Sequence, residues 1–480
     1  MSAADWMDFQ QKNKPQGNAM SGGIILMMVS GLQVAWIFNR DLMSFPWARG
    51  HSSFAVMFTY ASFYLAAMLG LYLAAMVIDR LTKKNIYFSA MTFAFFGSVC
   101  VVSMPRSLLL MMIARILIGF AHGYAYLTVV VHGGEIVTQK LRGMIISVLN
   151  FLTISSILVS GSFTMSLPHE QHGFGAMQWL GILGMIYSVL GIVLIALFTQ
   201  ESPVLLIRQK KFDQAVSLMV KVRNESVETW GIKNEYNELK TMVEEDEETS
   251  REIFHDRNIR PLLLITLLKV GSVLCFNFGV NMVRLQYVPK FIDEEGVNSS
   301  VLVLMIFRMM SGMVAMFVID VKGRRPLFLI SFVGSSVCLM IMGIIVAFDN
   351  EAGNSWFMTI TQVTMEIVGG FGIVALSDVY SSEAFNTMKK ANSIFFTTGA
   401  EYLLHVIIIF VTFNAISTKT FNWTFLFASG VLVMVISVFL HKELPETAKM
   451  SIRQTRNEFL KSGEIVFSGS KMPVQNITFS

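Results

Sequence analysis

Apolar stretches of about 20 residues, the length of helix that crosses a bilayer, recur along almost the whole chain. This pattern limits the possible folds more than any other feature. Only 15% of the 480 residues are charged, against about 25% in a soluble domain. We therefore predict an all-α integral membrane protein with twelve transmembrane helices, at residues 23–39, 54–78, 86–104, 107–132, 143–166, 174–199, 261–283, 298–320, 326–348, 356–379, 393–415 and 421–441.

A polar segment separates the first six predicted spans from the last six. This layout is typical of transporters that are built from two repeated halves. We predict an N-terminal tail at residues 1–21, a first half at 22–199, a linker at 200–260, a second half at 261–441 and a C-terminal tail at 442–480.

The linker and the tail carry weaker signals than the spans. Residues 204–222 have apolar side chains at helical spacing with basic residues between them, which predicts an amphipathic helix on the membrane surface. We expect the acidic run at residues 243–251 to be solvated and the tail after Met450 to be largely disordered.

The distribution of Lys and Arg predicts the orientation in the membrane. With both termini inside, 28 of the 37 basic residues fall on inner segments, three fall within spans, and six, including Arg284, fall on outer segments. The short loops alone hold 10 inside against six outside. Because inner loops are enriched in Lys and Arg, we expect both termini to be cytoplasmic. The plasma membrane is the expected location.

Several classes of function lack support in the sequence. We find no G-x-x-x-x-G-K-[ST] loop for nucleotide phosphates, no metal-ligand spacing of His and Cys, and no pairing of a nucleophile with a base. We predict a protein that is not an enzyme, uses no cofactor and binds no nucleic acid. Its predicted partners are the lipid bilayer, a small-molecule substrate and, if transport is coupled, protons.

Two short loops indicate an internal repeat. The loop after the second span reads DRLTKK at residues 79–84, and the loop after the eighth span reads DVKGRR at residues 320–325. The same pattern at the same place in each half favours a duplicated structure. The enrichment of basic residues in cytoplasmic loops would explain the Lys and Arg, but not the acid that precedes them.

Four further motifs lie at the inner ends of predicted helices: Gly134-Glu135 with Leu141-Arg142-Gly143, Ser382-Glu383-Ala384-Phe385 with Lys390, Gln200-Glu201-Ser202-Pro203, and Leu444-Pro445-Glu446-Thr447. Together with the two loops, they resemble the motifs of the sugar porter family of the major facilitator superfamily, which includes facilitative glucose transporters and trehalose-type carriers. The resemblance extends from the first helix to Lys449. It implies two six-helix halves that transport a solute by alternating access.

The resemblance also implies a cytoplasmic gate of ion pairs that hold the halves together. Arg324 and Arg325 are expected to pair with acids such as Glu383, and breaking such pairs would let the halves separate. Arg115, in a motif similar to G-R-x-x-x-G, is expected to reach outward or to meet an acid on another helix. The residues assigned to the gate are Asp79, Arg80, Glu135, Arg142, Glu201, Asp320, Arg324, Arg325, Glu383, Lys390 and Glu446.

The expected substrate site departs from the family, which binds sugar through amides and an indole. Counting from the motifs, the matching positions hold Asn150, Asn281, Arg308, Asp378, Glu401 and His405. Asn281 is retained only if the seventh helix is aligned on its Gly-Val-Asn sequence; alignment on Pro261 loses it.

Ionisable groups at membrane depth are candidates for function because they are expensive to keep there. We expect the substrate site to select charge, and Glu401 or Asp378 to exchange a proton. Alternatively, Arg308 is a structural cross-link to Asp378, Glu401 or Glu366. Lys269 is expected either to reach the inner surface or to join the same cluster.

We interpret the chain as a facilitative or proton-coupled transporter of a small polar solute, which is either a sugar or a charged or zwitterionic organic molecule. The alternative is a receptor or sensor that keeps the carrier fold but does not transport.

Overall fold

A computed structural model of the chain describes residues 3–35, 47–48, 50–166, 175–248, 254, 256–287, 297–348, 356–416 and 418–461. Within these ranges, twelve helices or helix pairs are long and apolar enough to cross a membrane. The predicted all-α fold with twelve transmembrane helices is confirmed.

The first half contains one continuous helix for each of its six spans. Helix α1 begins earlier than predicted, so much of the tail expected at residues 1–21 is helical. The Gln16 side chain secures this extension, because it bonds to Asn13 at 2.7 Å and accepts from the Thr138 backbone at 2.9 Å. The helices are α1 (Ala3–Val34), α2 (Ser53–Val77), α3 (Lys83–Ser103), α4 (Leu108–Ile136), α5 (Arg142–Ser166) and α6 (Ala176–Phe198).

The linker contains three short helices: α7 (Pro203–Arg208), α8 (Phe212–Val222) and α9 (Trp230–Glu247). The single amphipathic helix predicted at residues 204–222 is therefore two helices, which are separated by a turn at Lys210 with a positive φ of 59°. We call the end of the bundle that carries these helices the linker side, and the other end the distal side.

Two of the six spans in the second half are interrupted. The helices are α10 (Asp256–Cys275), α11 (Phe278–Gln286), α12 (Val297–Lys322), α13 (Arg324–Phe328), α14 (Gly334–Phe348), α15 (Trp356–Gly370), α16 (Ile373–Glu383), α17 (Lys390–Thr412) and α18 (Lys419–Glu443). The seventh span is α10 with α11, and the tenth is α15 with α16. A π-helical turn, Leu329–Val333, joins α13 to α14 within the ninth span.

The break in the seventh span has a local cause. Asn277 has an extended backbone, and its side chain accepts a hydrogen bond from the Val280 N–H at 2.9 Å. An N-cap of this kind starts a new helix. The preceding Phe276 still donates its backbone N–H to the Ser272 carbonyl of α10 at 3.1 Å, so the break lies directly after it. Interrupted helices in transporters commonly lie beside the substrate site.

The C-terminal tail contains a helix that the sequence analysis missed. Helix α19 (Ile452–Lys461) follows the last span, so the expectation of disorder after Met450 is wrong for these residues. Asp246, within the acidic run that we expected to be solvated, is buried in α9. Its carboxylate accepts from the Thr387 N–H at 2.9 Å and from Arg456 of α19. Residues 462–480 lie outside the described part of the chain.

The two halves pack against each other through a small number of helices. Helix α5 lies against α12 and α16, and α2 lies against α17. The outer surface is apolar: Leu197 is 66% exposed and Val435 is 63% exposed. Side chains of this kind would favour aggregation in water but match the hydrocarbon of a bilayer.

Candidate functional site

A cavity of about 180 Å³ lies between the two halves. Its wall contains side chains from α1, α2, α4 and α5 of the first half and from the second half. All six residues assigned to the substrate site line it: Asn150, Asn281, Arg308, Asp378, Glu401 and His405. The structure therefore brings together residues that are up to 255 positions apart in the sequence, from Asn150 to His405.

Arg308 does not pair with Asp378 or Glu401. Its guanidinium donates to Glu366 at 3.3 Å, and Glu366 also accepts from Arg284. The Arg308 guanidinium carbon lies 3.4 Å from the centre of the Phe276 ring. Phe276 lies at the break between α10 and α11. Two guanidinium groups thus share one carboxylate, and cation–π contact contributes further stabilisation of a buried positive charge. Of the alternatives drawn from the sequence, the cross-link to Glu366 is the one observed.

The carboxylates of Asp378 and Glu401 are held by Lys269 instead. The Lys269 ammonium is 2.8 Å from Glu401 Oε2 and 3.3 Å from Asp378 Oδ1. It also donates to the Tyr126 hydroxyl at 3.0 Å. Tyr126 in turn donates to Asp378. Lys269 therefore joins the cluster, as one of the two sequence alternatives predicted, and the predicted single cluster is two clusters on one cavity.

Several contacts around the cavity cross from one half to the other. The His122 ring bonds to Ser30 at 2.9 Å within the first half and to Tyr402 of the second half, also at 2.9 Å. His405 stacks on Tyr64 with the ring centres 4.6 Å apart. The cavity wall is thus continuous between the halves, with hydroxyl and imidazole groups at the junction.

Aromatic side chains join the halves on the distal side of the cavity. Tyr60 of α2 lies 5.8 Å from Phe278 and 6.4 Å from Phe413, measured between ring centres. Phe54, which lies nearer the distal end of α2 than Tyr60, is 6.3 Å from Phe410. These contacts are apolar and tilted, so they can separate without leaving buried charges unpaired.

On the linker side, a carboxylate of the second half caps a helix of the first half. Asp320 accepts from the backbone N–H groups of Gly143 at 3.1 Å and Met144 at 2.7 Å. These N–H groups belong to the first turn of α5, where no intrahelical acceptor is available. The positive end of the helix dipole further stabilises the carboxylate. Asp320 therefore holds the halves together.

A second contact between the halves is an ion pair. Arg142 lies 3.6 Å from Glu383, and Glu383 also accepts from Arg324 at 3.1 Å. All three side chains are almost completely buried. The helices approach closely at Gly134 because glycine has no Cβ. A Cβ there would lie only 2.3 Å from the Ser382 carbonyl oxygen and 2.2 Å from the Lys390 ammonium nitrogen.

Two further residues assigned to the gate, Glu201 and Glu446, make equivalent contacts in the two halves. Glu201 accepts from the Lys83 N–H at 2.9 Å, and Glu446 accepts from the Arg324 N–H at the same distance. Burial raises the pKa of the Glu201 carboxyl, against the opposing charge of Lys83.

The residues that follow Glu201 and Glu446 in these motifs, Ser202 and Thr447, also have equivalent partners in the two halves. Glu135 accepts from the Ser202 hydroxyl at 2.5 Å, and Glu383 accepts from the Thr447 hydroxyl at 2.6 Å. The duplicated motifs therefore occupy equivalent structural positions.

Three assignments to the gate need correction or remain peripheral. Arg325 does not pair with Glu383; its guanidinium donates to the His441 carbonyl at 2.6 Å. Asp79 pairs with Arg208 of the linker at 2.9 Å and is 57% exposed, so it does not join the halves. Arg80 is exposed. Asp320, Arg142 and Glu383 carry the contacts between halves.

Arg115 is buried instead of reaching outward. Its guanidinium donates to the carbonyls of Gln33 at 3.0 Å and Tyr60 at 3.1 Å. Gln33 lies in the last turn of α1, where carbonyl groups have no intrahelical donor. Arg115 therefore ties the end of α1 to α2 and α4.

The sequence analysis missed polar residues in the cavity wall and one beside it. His122 and Tyr126 are four residues apart on α4, so they share one helix face, and this spacing was available in the sequence. Arg284 was counted as an outer loop residue, but it is buried in α11. Its pairing with Glu366 depends on the helix break, which hydropathy does not reveal.

A membrane-spanning bundle of two repeated halves, with a polar cavity between them and contacts between halves on both sides, defines a membrane solute transporter. Comparison with known families gives the same result. The chain belongs to the family described as "Sugar (and other) transporter", whose model matches residues 4–459.

Relatives and solved structures support this membership. The chain is similar to the facilitated glucose transporter member 1 of solute carrier family 2 from Gallus gallus, with 23% identity over 84% of this chain and 82% of the relative. It is also similar to the galactose-proton symporter of Escherichia coli strain K12, with 22% identity over 80% and 81%. The solved structure of the proton:xylose symporter XylE bound to 6-bromo-6-deoxy-D-glucose shares the fold, with a TM-score of 0.76, 15% identity, and coverage of 92% of this chain and 99% of that one.

Proposed function

We propose that the chain moves a small polar solute across the membrane by alternating access, with the 180 Å³ cavity as its binding site. The observation that carries this proposal is the wall of the cavity, which takes its polar side chains from both halves. A solute bound there contacts both halves at once. Separation of the halves on one side or the other would then expose the same solute to either face of the membrane.

A sugar is the substrate that we propose first. The wall offers the amides of Asn150 and Asn281, the hydroxyls of Tyr126 and Tyr402, and carboxylate oxygens, all of which bond to the hydroxyl groups of a polyol. The relatives described above are named for glucose, galactose and xylose. The small cavity favours a single sugar unit over an oligosaccharide.

A charged or zwitterionic solute is the second candidate. Arg308 lines the cavity, and among the described residues its guanidinium donates one hydrogen bond, to Glu366. A guanidinium has five N–H donors, so further donors are available for a carboxylate of the solute. Asp378 and Glu401 lie in the same wall and would meet a positively charged group.

The linker side serves as the cytoplasmic gate in this proposal. Asp320, Arg142 and Glu383 hold the halves together while the cavity opens toward the distal side. Both termini and the linker face the cytoplasm, and the protein resides in the plasma membrane. The excess of Lys and Arg on the linker side supports this orientation.

Uptake into proteoliposomes is the test. Purified full-length protein is reconstituted and offered labelled neutral sugars beside small organic anions and zwitterions. Saturable uptake that is accelerated by unlabelled solute on the opposite side supports alternating access. Binding without uptake would instead identify the receptor considered from the sequence, which the named transporters among the relatives do not favour. Repeating the assay with an imposed pH gradient separates uniport from proton symport.

A further inference from the structure

Lys269 lies at the centre of a site made of oxygen atoms from three helices. Its side chain is fully buried in α10. The ammonium donates to Glu401 Oε2 of α17 at 2.8 Å, to the Tyr126 hydroxyl of α4 at 3.0 Å, and to Asp378 Oδ1 of α16 at 3.3 Å. An ammonium has three N–H donors and no acceptor. All three donors are therefore used, each by a different helix.

Without the lysine, the two carboxylates of this site would face each other with no cation between them. Two carboxylates lie within hydrogen-bonding distance of one nitrogen, in a region that lipid surrounds. Facing carboxylates cannot both stay ionised in such a place unless a cation lies between them. Lys269 supplies one positive charge, and the Tyr126 hydroxyl adds a hydrogen bond to Asp378.

The oxygen atoms around the ammonium are those that a small inorganic cation prefers. Hard cations take carboxylate and neutral oxygen ligands, and a proton would be shared between two facing carboxylates. The ammonium therefore occupies the position that one of these cations would otherwise have to fill. One of its three ligands belongs to the first half, so the site also spans the junction between the halves.

We propose that Lys269 is a built-in cation that replaces a bound ion at this site. Because it is covalently attached, it offsets one of the two carboxylate charges in every state of the cycle and cannot be released to either side. One consequence rests on the proposed transport function: uptake by the native protein requires neither a proton gradient nor a sodium gradient. Removing the ammonium opens a cation site that the native chain does not have.

Lys269→Met tests the cation site without knowledge of the substrate. Methionine keeps an unbranched side chain but supplies no charge. The melting temperature Tm of the purified full-length protein is measured in sodium, potassium, lithium and choline chloride at equal ionic strength, and from pH 6 to 8.5. The titratable groups facing Lys269 are Tyr126 of α4, Asp378 of α16, and Glu401 and Tyr402 of α17. The buried face of α18, which also packs on α10, has no ionisable side chain.

We expect the Tm of the native protein to be the same in all four salts. We expect the Tm of Lys269→Met to rise saturably with one inorganic cation over choline, or to rise as the pH falls. The sodium and pH arms distinguish an inorganic cation from a proton. Lys269→Arg, which keeps the charge, should behave as the native protein does. The double variant Lys269→Met with Glu401→Gln, which leaves one carboxylate, should lose the cation dependence.

Three results would overturn the proposal. One is a saturable cation dependence already present in the native protein. Another is a folded Lys269→Met whose Tm responds to no cation and to no pH. The third is a Lys269→Met that cannot be purified in any salt or at any pH while the double variant can, since no external cation would then replace the ammonium.

Uptake provides the second readout. If the native protein equilibrates glucose across proteoliposomes, dissipating the proton and sodium gradients should leave the initial rate unchanged, and a loss of uptake would contradict the proposal. If no solute is taken up but the Tm pattern holds, the proposed function fails while the built-in cation stands.

Discussion

The Tyr126 hydroxyl, on helix α4 of the first half, donates a hydrogen bond to the Asp378 carboxylate on helix α16 of the second half. The same hydroxyl accepts from Lys269. One phenol oxygen therefore connects the first half to both charged partners in the second half. Since this connection lies at the cavity wall, it should affect how the halves separate around a bound solute.

Tyr126→Phe should weaken the association of the halves, because it removes the hydroxyl but keeps the ring. A hydrogen bond to a charged group contributes about 1.5–3 kcal/mol, so the population of separated states should rise about tenfold or more. Pulsed electron paramagnetic resonance between labels on α2 and α17 measures the separation. Tyr87→Phe is the matched control, since Tyr87 bonds to His132 within the first half. Equal distance distributions in both variants would show that Tyr126 does not couple the halves.

Asp320→Asn should open the linker side. The amide has the same shape but no charge, and its NH₂ group cannot accept from the α5 backbone. We expect a shift of about 1–3 kcal/mol toward states open on that side. The readout is the labelling rate of a cysteine at Ser147, a buried position of α5, in a background with the native cysteines replaced.

The exposed Asp79 is the control for this variant. It occupies the equivalent motif position but pairs with Arg208 of the linker. Asp79→Asn should change the labelling rate at Ser147 little, because exposed pairs contribute at most about 1 kcal/mol. A labelling rate that is as high in Asp79→Asn as in Asp320→Asn would show that the bonds from Asp320 to the first turn of α5 do not hold the halves together.

Arg308→Gln should separate the two candidate substrate classes. Glu366 keeps Arg284 as a partner, so the variant leaves no buried carboxylate unpaired and should still fold. We expect uptake of neutral sugars to change by no more than a few-fold, and any uptake of carboxylate-bearing solutes to be lost. Arg284→Gln is the control, because it removes the guanidinium that does not line the cavity. If both variants unfold alike in detergent, Arg308 acts as a structural cross-link.

Epitope accessibility tests the orientation. A tag after residue 460 and an antibody to residues 200–260 should both require permeabilised cells, whereas a tag inserted between residues 350 and 354 should be reached in intact cells. Staining of the linker in intact cells would reverse the orientation, and with it the assignment of the gate to the cytoplasm.

Asp246→Ala should release the C-terminal helix. The substitution removes the acceptor of the Thr387 N–H, the Thr387 hydroxyl and the Arg456 guanidinium. Leaving the Thr387 N–H and hydroxyl unpaired costs about 1–3 kcal/mol each at a buried site, and among the described residues Arg456 keeps only Glu245 as its partner. We therefore expect α19 to become sensitive to limited proteolysis. Glu245→Ala is the control, since Glu245 forms partly exposed pairs with Arg453 and Arg456. Equal cleavage in both variants would show that Asp246 does not hold α19 in place.

The sequence was sufficient for features that repeat or that depend on length. Twelve spans follow from hydropathy. The loops that begin at Asp79 and Asp320 indicate two halves from the sequence alone. The equivalent bonds of Glu201 and Glu446 show that the repeat is structural as well. Counting from these motifs placed six residues on one cavity, because helices fix the depth of a side chain.

Partners within the cavity could not be predicted in the same way. Counting gives depth along a helix but not the direction in which the side chain points. Glu366 and Asp378 lie twelve residues apart in the tenth span, and both were possible partners of Arg308. Only the packing of α12, α15 and α16 decides which of them Arg308 meets. The break at Asn277, beside which Phe276 contacts Arg308, depends on a single N-cap within an otherwise apolar stretch.

The burial of Asp246 has a consequence for how the chain is made. Arg456 is 210 residues further along the chain than Asp246, and ribosomes add about 5–20 residues per second. For that interval the linker is already outside the ribosome while this carboxylate still lacks its guanidinium. The nascent protein therefore remains incomplete on its linker side until α19 has been synthesised. A chain stopped before α19 would display that unfinished surface permanently, in a form that cellular quality control could recognise.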